Sequence, residues 1–384
     1  MATPTILYSP STLLHHSVEL VGHKLIAAHE CADRVKRILK ALAENGYAVT
    51  ECDLTAEETS SLLVPSNIHA KPYVMHLETI FDRFLKSRIV EEDDCILPEC
   101  FPHRALLEAV PYPTSDTTSA DEGGMGNLKL PSDPYAHLGY YSFDMSTGMS
   151  KDTFKSAMAS TALAIKAMKI ITDDGFPPSG VVFALTRPPG HHACHALAGG
   201  YCYINNVAVA AEHLLSKLTN PPTGSQSRVV ILDLDFHHGN GTQSIFYNRR
   251  EPAYISIHGE GEYPYYTGSV SEVGNGEGKG FNRNFPLLAR PRSNRSDYFS
   301  TLEEALDIIR QKWNPEYLLV SMGFDTFRKD VLGGFELAVD DYKEIGSRIR
   351  MLGLPVAVIL EGGYEEELGH LAVSFLNGLT GKEV

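Results

Sequence analysis

Residues 229–241 form the stretch VVILDLDFHHGNG, in which an apolar run leads directly into two Asp and two His residues. Its first four residues are apolar and mostly β-branched, which is typical of a buried parallel strand. Side chains two apart on an extended chain point to the same side, so Asp235 and His237 are expected to face one point past the strand. A carboxylate and an imidazole suit a divalent ion such as zinc, although a salt-linked pair in a loop is the alternative.

Three other apolar runs end in polar motifs of the same kind. Residues 317–322 lead to Gly323-Phe324-Asp325, residues 356–360 to Glu361-Gly362-Gly363-Tyr364, and residues 181–185 to Arg187-Pro188-Pro189-Gly190-His191-His192. In an open α/β sheet, ligands bind outside the carboxyl ends of the strands. We therefore expect the four motifs to meet in one crevice.

Apolar runs alternate with segments of helical periodicity along the chain. Strands are predicted at residues 5–8 and 47–52, around a helix at 27–44 that stops before Gly46. Further helices are predicted at residues 152–171, 207–218, 300–313 and 340–351. The alternation predicts an α/β protein: one three-layer α/β/α domain over residues 1–384, with a central, mainly parallel sheet.

Residues 89–138 differ from the rest of the chain, because they combine an acidic run, several prolines and a tract rich in Ser, Thr, Asp and Gly. Loops of this length in compact domains are usually functional or disordered. We predict an insertion loop with an ordered rim and a mobile centre around residues 121–124.

The composition is acidic, with 33 Lys and Arg against 48 Asp and Glu and a formal net charge of −15. This charge disfavours direct nucleic-acid binding and favours cationic ligands, although solubility alone would account for it. No apolar run reaches the roughly 18 residues of a membrane span, and the N-terminus lacks a signal-peptide pattern. We expect an intracellular protein, in the cytoplasm, the nucleus or both.

The six cysteines show no paired spacing, so reduced thiols are expected. Cys194 and Cys202 follow the histidine pair His191-His192. We interpret them as small buried residues, with a ligand or redox role as the alternative.

Five ordered motifs resemble the histone deacetylase superfamily, which has the arginase/deacetylase fold. They are Arg187-Pro188-Pro189-Gly190-His191-His192-Ala193, Gly200-Tyr201-Cys202-Tyr203-Ile204-Asn205-Asn206, residues 233–243, Gly323-Phe324-Asp325-Thr326-Phe327 and Glu361-Gly362-Gly363-Tyr364. The likeness is greatest to acetylpolyamine amidohydrolases, whose early helical region residues 67–83 also match, and it extends to class II-like histone deacetylases.

This resemblance implies two metal sites. Asp235, His237 and Asp325 would hold one catalytic zinc ion and leave a position open for water or substrate. A structural potassium ion would lie nearby, largely among backbone carbonyls, at Asp233, Asp235, His237, Ser256 and Ile257.

The resemblance also implies the catalytic roles. His192 would act as general base and then general acid, while His191 would stabilise the transition state electrostatically. Asp233 would orient His191, and Asn240 would orient His192. Tyr364 would donate its hydroxyl to the scissile carbonyl oxygen.

In the substrate channel, Tyr201 and Tyr263 correspond to aromatic residues that flank the aliphatic arm of the substrate in relatives. Leu332 stands where polyamine-specific eukaryotic relatives place a glutamate gatekeeper. This difference leaves acyl-lysine, in a peptide or as a small molecule, open as the substrate.

The mouth of the channel departs from the amidohydrolase pattern. Tyr135 and Ser146 stand where acetylpolyamine amidohydrolases have two glutamates that hold the distal ammonium. Asp133 and Asp144 are close enough in sequence to substitute for them. Asp144 could instead bind a peptide backbone, as an aspartate of histone deacetylases does.

Together these features predict a zinc-dependent deacetylase acting on an N-acetylated aliphatic amine, either acetyl-lysine in a protein or peptide or an acetylpolyamine or other small molecule. One alternative is a binuclear manganese ureohydrolase on the same fold, which needs ligands for a second metal. The other is a catalytically weak module that binds acyl-lysine or scaffolds a complex. The expected partners are an acetylated amine and a second copy of the chain, through residues 89–138, with neither nucleic acid nor membrane.

Overall fold

A computed structural model describes residues 3–52, 67–103, 132–172, 180–219, 224, 226–289 and 291–382. Its strands are β1 (Thr5–Tyr8), β2 (Val18–Val21), β3 (Lys24–Ala27), β4 (Thr50–Glu51), β5 (Val181–Ala184), β6 (Val229–Asp233), β7 (Ala253–Glu260), β8 (Asn282–Leu288), β9 (Tyr317–Met322) and β10 (Val356–Leu360). Eight of them form one sheet in the order β4-β1-β5-β10-β9-β6-β7-β8, with every neighbouring pair parallel. β2 and β3 form a separate antiparallel hairpin.

The helices of the described residues are α1 (Ala32–Glu44), α2 (Lys71–Lys86), α3 (Pro134–Tyr140), α4 (Thr153–Thr172), α5 (Asn206–Leu215), α6 (Asn240–Phe246), α7 (Arg295–Asp307), α8 (Val339–Arg350) and α9 (Leu368–Thr380). α7 continues as the π-helical turn Ile308–Trp313. The predicted helices beyond residue 150 are therefore confirmed, with shifts of a few residues at their ends. None of the helices in these ranges combines the length and apolar character needed to cross a bilayer.

Helices cover both faces of the sheet because its central strands are apolar on both faces. Side chains alternate along a strand. In β6, Val229 and Ile231 belong to the apolar cluster that contains residues of α2, α4 and α5. Val230 and Leu232 belong to the cluster that contains residues of α1, α7, α8 and α9. The predicted three-layer α/β/α fold with a parallel sheet is confirmed.

The segment before α1 differs from the prediction of a helix over residues 27–44. The β2–β3 hairpin turns at Gly22, whose φ of 61° is in the left-handed region. The backbone N–H of His29 donates to Glu19 Oε1 at 2.7 Å, which holds this segment outside a helix. The helix consequently begins only at Ala32.

Three strands also differ from the predictions. The strand expected at residues 47–52 is reduced to Thr50–Glu51. The sequence patterns do not predict β7 or β8, because AYISIHGE and NRNFPLL mix polar residues and a proline into the apolar pattern. These two strands extend the sheet past β6, because β7 pairs in parallel with β6 and β8 pairs in parallel with β7.

The predicted insertion is described only at its flanks. The expected mobile centre around residues 121–124 lies outside the described residues. In the described flanks, Ile96 and Met149 exchange two backbone hydrogen bonds at 2.8 Å. Helix α3 occupies Pro134–Tyr140. The insertion and the single-domain boundary at 1–384 stay predictions.

A buried ionic network joins α1, the connection that precedes it and the segment after β5. Glu30 Oε1 accepts from Arg187 Nε at 2.8 Å and from Arg34 at 3.0 Å, and none of these three side chains is exposed. Burial alone would raise the pKa of Glu30, but the charges of Arg187 and Arg34 hold it below its ordinary value. This one carboxylate therefore compensates two buried guanidinium groups.

Replacing that carboxylate by an amide should destabilise the protein strongly. We expect Glu30→Gln to lower the free energy of unfolding by about 3–5 kcal/mol, since two buried cations lose their counter-charge. Asp33→Asn is the matched control, because Asp33 pairs with Lys36 at the surface, where both side chains are more than half exposed. Urea unfolding would measure both, and equal stabilities of the two variants would contradict the assignment.

Candidate active site

The four motifs meet at the carboxyl edge of the sheet because their strands are neighbours. β5, β10, β9 and β6 are consecutive in the sheet order. Each is followed directly by its polar segment, and all four run in the same direction. The four motifs therefore converge at one edge of the sheet, as predicted.

Asp235, His237 and Asp325 come together at this edge, with one possible ligand atom from each within 4.8 Å of the others. His237 Nδ1 is 3.0 Å from Asp325 Oδ2 and 3.3 Å from Asp235 Oδ1. His237 Nε2 lies 3.2 Å from the backbone oxygen of Leu332. That oxygen can only accept, so Nε2 carries a hydrogen and Nδ1 is the nitrogen turned toward the carboxylates.

The charge of this group fits a divalent cation. Asp235 and Asp325 are 1% and 0% exposed. Burial and the nearby charge of Asp235 raise the pKa of Asp325 to about 7. A cation between the two carboxylates would relieve this repulsion and favour the ionised form of both. Two carboxylates and one imidazole are also a donor set that suits zinc.

Gly362 allows the backbone to approach the triad. Its N–H donates to Asp235 Oδ2 at 2.8 Å. A Cβ at this position would lie 2.4 Å from Asp325 Oδ2, so a side chain would displace the candidate ligands.

Within the described residues no second group of three His, Cys, Asp or Glu side chains comes together. The ligands that a binuclear ureohydrolase would need for its second metal are thus not assembled in this part of the chain.

His191 lies between two carboxylates. Its Nδ1 is 3.1 Å from Asp233 Oδ2, and its Nε2 is 3.7 Å from Asp235 Oδ1. Burial alone would lower the pKa of His191, but Asp235 and Asp233 raise it to about 10. The imidazole is therefore held as a cation, and Tyr254 also donates to Asp233 Oδ2 at 2.9 Å.

His192 has the opposite electrostatic environment. Burial, and then the charges of His191 and His237, lower its pKa well below 6.5, so the ring is neutral. Its Nδ1 is 2.7 Å from Asn240 Oδ1, an oxygen that can only accept. The hydrogen therefore sits on Nδ1, and Nε2 keeps its lone pair.

Tyr364 is held from its backbone and its ring. Its N–H donates to Asp330 Oδ2 at 2.8 Å. Arg34 donates through Nε to the Gly363 oxygen at 2.6 Å and through a second nitrogen to the Glu361 oxygen, and its guanidinium lies 4.9 Å from the Tyr364 ring centroid. Burial raises the pKa of Tyr364 well above 10, so the phenol stays protonated and can donate.

Glu361 and Arg34 are positioning residues to which sequence reasoning assigned no role. The fully buried Glu361 carboxylate accepts from Gly190 N at 2.7 Å, from His191 N at 3.2 Å and from Ser321 Oγ at 2.9 Å. It therefore ties the segment after β10 to the histidine pair. The position of Glu361 at the end of a predicted strand was an available signal. The backbone oxygens of Glu361 and Gly363 that Arg34 contacts, in contrast, lie more than 300 residues away in the chain.

A cavity of about 220 Å³ opens onto these groups. It brings together three of the predicted channel residues, Tyr201, Tyr263 and Leu332, with the catalytic candidates His192 and Tyr364. The full lining is Glu19, Ser146, His192, Gly200, Tyr201, His237, Glu262, Tyr263, Tyr265, Leu332 and Tyr364.

Each channel tyrosine donates its hydroxyl to a carboxylate. Tyr201 donates to Glu19 Oε1 at 2.7 Å, and Tyr263 donates to Asp144 Oδ2 at 2.6 Å. Sequence reasoning missed Glu19 and Glu262 as lining residues. Glu262 could have been noticed because it precedes a predicted channel tyrosine, whereas nothing in the sequence connects the hairpin residue Glu19 with the channel.

The other predicted mouth residues are placed as follows. Ser146 lines the cavity. The Asp144 carboxylate accepts from the Tyr263 hydroxyl and also from Gly200 N, the latter at 2.7 Å. Asp133 accepts from Tyr135 N at 2.9 Å at the start of α3, and the ring of Tyr135 packs against Phe84. Neither Asp133 nor Tyr135 is among the residues that line the described cavity.

The potassium prediction concerns the next strand. Asp233 in β6 pairs with Ser256 in β7, so the two backbones are adjacent, and Ser256 and Ile257 are fully buried. These positions are consistent with the predicted group, and the ion itself stays a prediction.

All six cysteines are free thiols, with Cys202 buried and Cys194 half-buried.

Comparisons with known proteins agree with this geometry. The family model for the histone deacetylase domain matches residues 28–379. The chain is 38% identical over 381 residues to acetylpolyamine amidohydrolase 1 of Pseudomonas aeruginosa, covering 98% of both chains. It is 33% identical over 240 residues to histone deacetylase HDA1 of Candida albicans, covering 61% of this chain and 28% of that one. The crystal structure of acetylpolyamine aminohydrolase from Burkholderia pseudomallei superimposes with a TM-score of 0.80 at 29% identity, covering 98% of both chains.

Loss of one carboxylate should abolish metal binding at the triad. We expect Asp325→Asn to retain far less metal than the wild-type protein, for which roughly one ion per chain is expected. An amide lacks the negative charge that binds the cation, while its neutrality removes a buried repulsion and should preserve the fold. Elemental analysis after incubation with zinc and gel filtration measures the difference. Asp340→Asn, at an exposed position of α8, is the control, and equal metal contents in all three proteins would refute the site.

Proposed function

Because the chain belongs to the histone deacetylase family, we propose that it is a zinc-dependent deacetylase that hydrolyses the amide of an N-acetylated aliphatic amine. The observation that carries the proposal is the environment of His192. This neutral imidazole lines the same cavity as the candidate ligand His237 and the hydroxyl donor Tyr364. A base, a metal-ligand set and a hydrogen-bond donor at one cavity are suited to hydrolysing an unactivated amide.

Asp235, His237 and Asp325 would hold the zinc ion. When bound, the ion would polarise the substrate carbonyl and make a water acidic enough to attack near neutral pH. The remaining steps use the side chains of this chain.

His192 accepts the proton of the attacking water at Nε2. Its lowered pKa keeps it neutral before the reaction, and Asn240 keeps its hydrogen on Nδ1. His192 then gives the proton to the nitrogen of the leaving amine, so the amide C–N bond breaks without a covalent enzyme intermediate. His191, held as a cation beside Asp233, stabilises the negative charge that develops in the transition state.

Tyr364 supplies a hydrogen bond to the developing oxyanion. Its raised pKa keeps the hydroxyl protonated. Asp330 and Arg34 hold its backbone and ring, so little reorganisation is needed when charge develops on the substrate.

The cavity lining supports an aliphatic substrate arm and a positively charged far end. Tyr201 and Tyr263 present aromatic walls on the way to His192. Glu19 and Glu262 add carboxylates to the lining, and the net charge of −15 acts in the same direction. Acetyl-lysine and acetylated polyamines both satisfy this description.

A direct test compares amine release by zinc-loaded protein from an acetyl-lysine peptide and from N-acetylputrescine. We expect turnover of at least one substrate, and we expect His192→Ala to reduce kcat by roughly 10²–10⁴-fold because the proton-transfer group is lost. An unchanged rate in that variant would refute the mechanism. Tight binding of both acetylated ligands without amine release would instead favour the binding module.

The hydroxyl of Tyr364 should contribute mainly to kcat. We expect Tyr364→Phe to lower kcat by about 10²–10³-fold with a smaller change in KM, because one oxyanion donor is removed while the ring remains. Tyr266→Phe is the matched control, since Tyr266 is 92% exposed and lies outside the lining of this cavity. Steady-state kinetics with the better of the two substrates would measure both variants. Equal kcat values for the two would argue against the Tyr364 hydroxyl as a hydrogen-bond donor to the oxyanion.

A further inference from the structure

A ring of hydrogen bonds closes around Cys194, two residues after the candidate base His192. The Cys194 sulfur lies 3.7 Å from the backbone oxygen of His192 and 3.7 Å from the side-chain nitrogen of Asn240, which is within hydrogen-bond range for sulfur. Asn240 Oδ1 lies 2.7 Å from His192 Nδ1. The carbonyl, the thiol, the amide and the imidazole therefore form a closed path that begins and ends at His192.

The start of α6 must approach the histidine segment closely for this ring to form. A Cβ at Gly241 would lie 2.4 Å from the Ala193 oxygen and 2.5 Å from the His192 carbonyl carbon, so a side chain there would push the two backbones apart. Asn240 is the first residue of α6. The glycine that follows it thus allows the amide to reach both the imidazole and the Cys194 sulfur.

The donors and acceptors around the ring all point one way. The His192 backbone oxygen can only accept, so the thiol directs its S–H to that oxygen. Burial raises the pKa of Cys194, so the thiol keeps its hydrogen. The sulfur lone pairs then accept from Asn240 Nδ2, and this contact turns Asn240 Oδ1 toward His192.

The reversed amide would be incompatible with the role of His192. The two orientations of an amide have the same shape, so packing alone does not select one of them. In the reversed orientation Asn240 Nδ2, which can only donate, would face His192 Nδ1 and require a lone pair there. The hydrogen would then sit on Nε2, the nitrogen that has to accept the proton of the attacking water.

We propose that Cys194 is a positioning residue for the general base: its thiol fixes the orientation of the Asn240 amide and thereby keeps His192 in the tautomer with a free Nε2. This inference rests on the proposed deacetylase function and adds a residue to its machinery. The sulfur does not belong to the candidate metal group. The ligand and redox roles left open for Cys194 by the sequence are therefore not needed to explain its place beside the base.

Removing the thiol should affect kcat alone. We expect Cys194→Ala to lower kcat by about two- to fivefold, since loss of one weak hydrogen-bonding partner lets the wrong tautomer become a substantial fraction. KM and zinc content should not change, because neither Cys194 nor Asn240 lines the cavity or belongs to the metal group. Cys194→Ser, which keeps a donor and an acceptor on one atom, should restore most of kcat.

Cys95→Ala is the matched control for these variants. Cys95 is also a half-buried free thiol with one weak sulfur contact, 3.8 Å from the hydroxyl of Ser17, which is not a catalytic candidate. We expect this variant to keep the wild-type kcat. An equal loss of kcat in Cys95→Ala and Cys194→Ala would show a general effect of removing a thiol and would overturn the assignment.

A double-mutant cycle tests whether Cys194 acts through the amide. In Asn240→Asp the carboxylate has two accepting oxygens and no donor, so either orientation accepts from His192 Nδ1 and no thiol is needed to choose between them. We expect Cys194→Ala to leave kcat unchanged in this background. The same fold-loss in both backgrounds would mean that the two residues act independently and would contradict the inference.

Nitrogen NMR of zinc-loaded protein labelled with ¹⁵N-histidine measures the tautomer without any turnover. The signals of His192 are identified by their loss in His192→Ala. We expect the hydrogen on Nδ1 in the wild-type protein and in Cys95→Ala, and a substantial fraction on Nε2 in Cys194→Ala. A His192 tautomer that is the same in all three proteins would refute the role of Cys194.

The outcomes separate this inference from the proposed function. Turnover together with a tautomer that does not depend on Cys194 overturns the inference and leaves the deacetylase. A tautomer that changes in Cys194→Ala, in a protein that hydrolyses neither acetylated substrate, supports the inference about the ring and contradicts the deacetylase. Absence of turnover together with an unchanged tautomer overturns both.

Discussion

The structure around the carboxyl edge of the sheet must compensate the negative charge that is buried there. Asp233, Asp235, Asp325 and Glu361 are at most 1% exposed and lie at or just past the ends of neighbouring strands. Burying carboxylates is costly unless cations and N–H groups compensate them. The cation of His191 and the N–H groups of the glycine-containing turns provide part of this compensation, and a divalent ion at the triad would provide the rest.

That compensation explains the opposite protonation states of the two histidines. His191 is charged because carboxylates face both of its nitrogens. The same charge, only 4.0 Å away between ring centroids, keeps His192 neutral. Asn240 suits this role, because an amide fixes the ring without adding a negative charge that would favour its protonation. Adjacent residues of one type thus acquire opposite protonation states from their partners, and this is what a stabilising cation and a general base require.

A second set of charged side chains lines the cavity of the candidate active site and a second cavity, which shares Glu262 and Leu332 with the first. Glu19 and Glu262 line the first cavity, and Arg292 lines the second. Glu19 belongs to the hairpin, Glu262 to the segment after β7 and Arg292 to the segment after β8. The candidate catalytic groups thus lie at strand ends, whereas the charged residues around the cavities lie on the hairpin and on connecting segments, where binding residues of α/β enzymes are commonly found.

The parallel α/β fold and the residues of the candidate active site were predictable from the sequence, because strand periodicity and the motif after each strand are local patterns. Residues 229–237 alone specify a buried strand and two candidate ligands at its end. The distant residues that support them are apparent only in the folded chain: Glu30 meets Arg187 across 157 positions, and Glu19 meets Tyr201 across 182. Such contacts depend on how the hairpin and loops pack against the sheet edge, and packing at long sequence separation leaves no periodic signal in the chain.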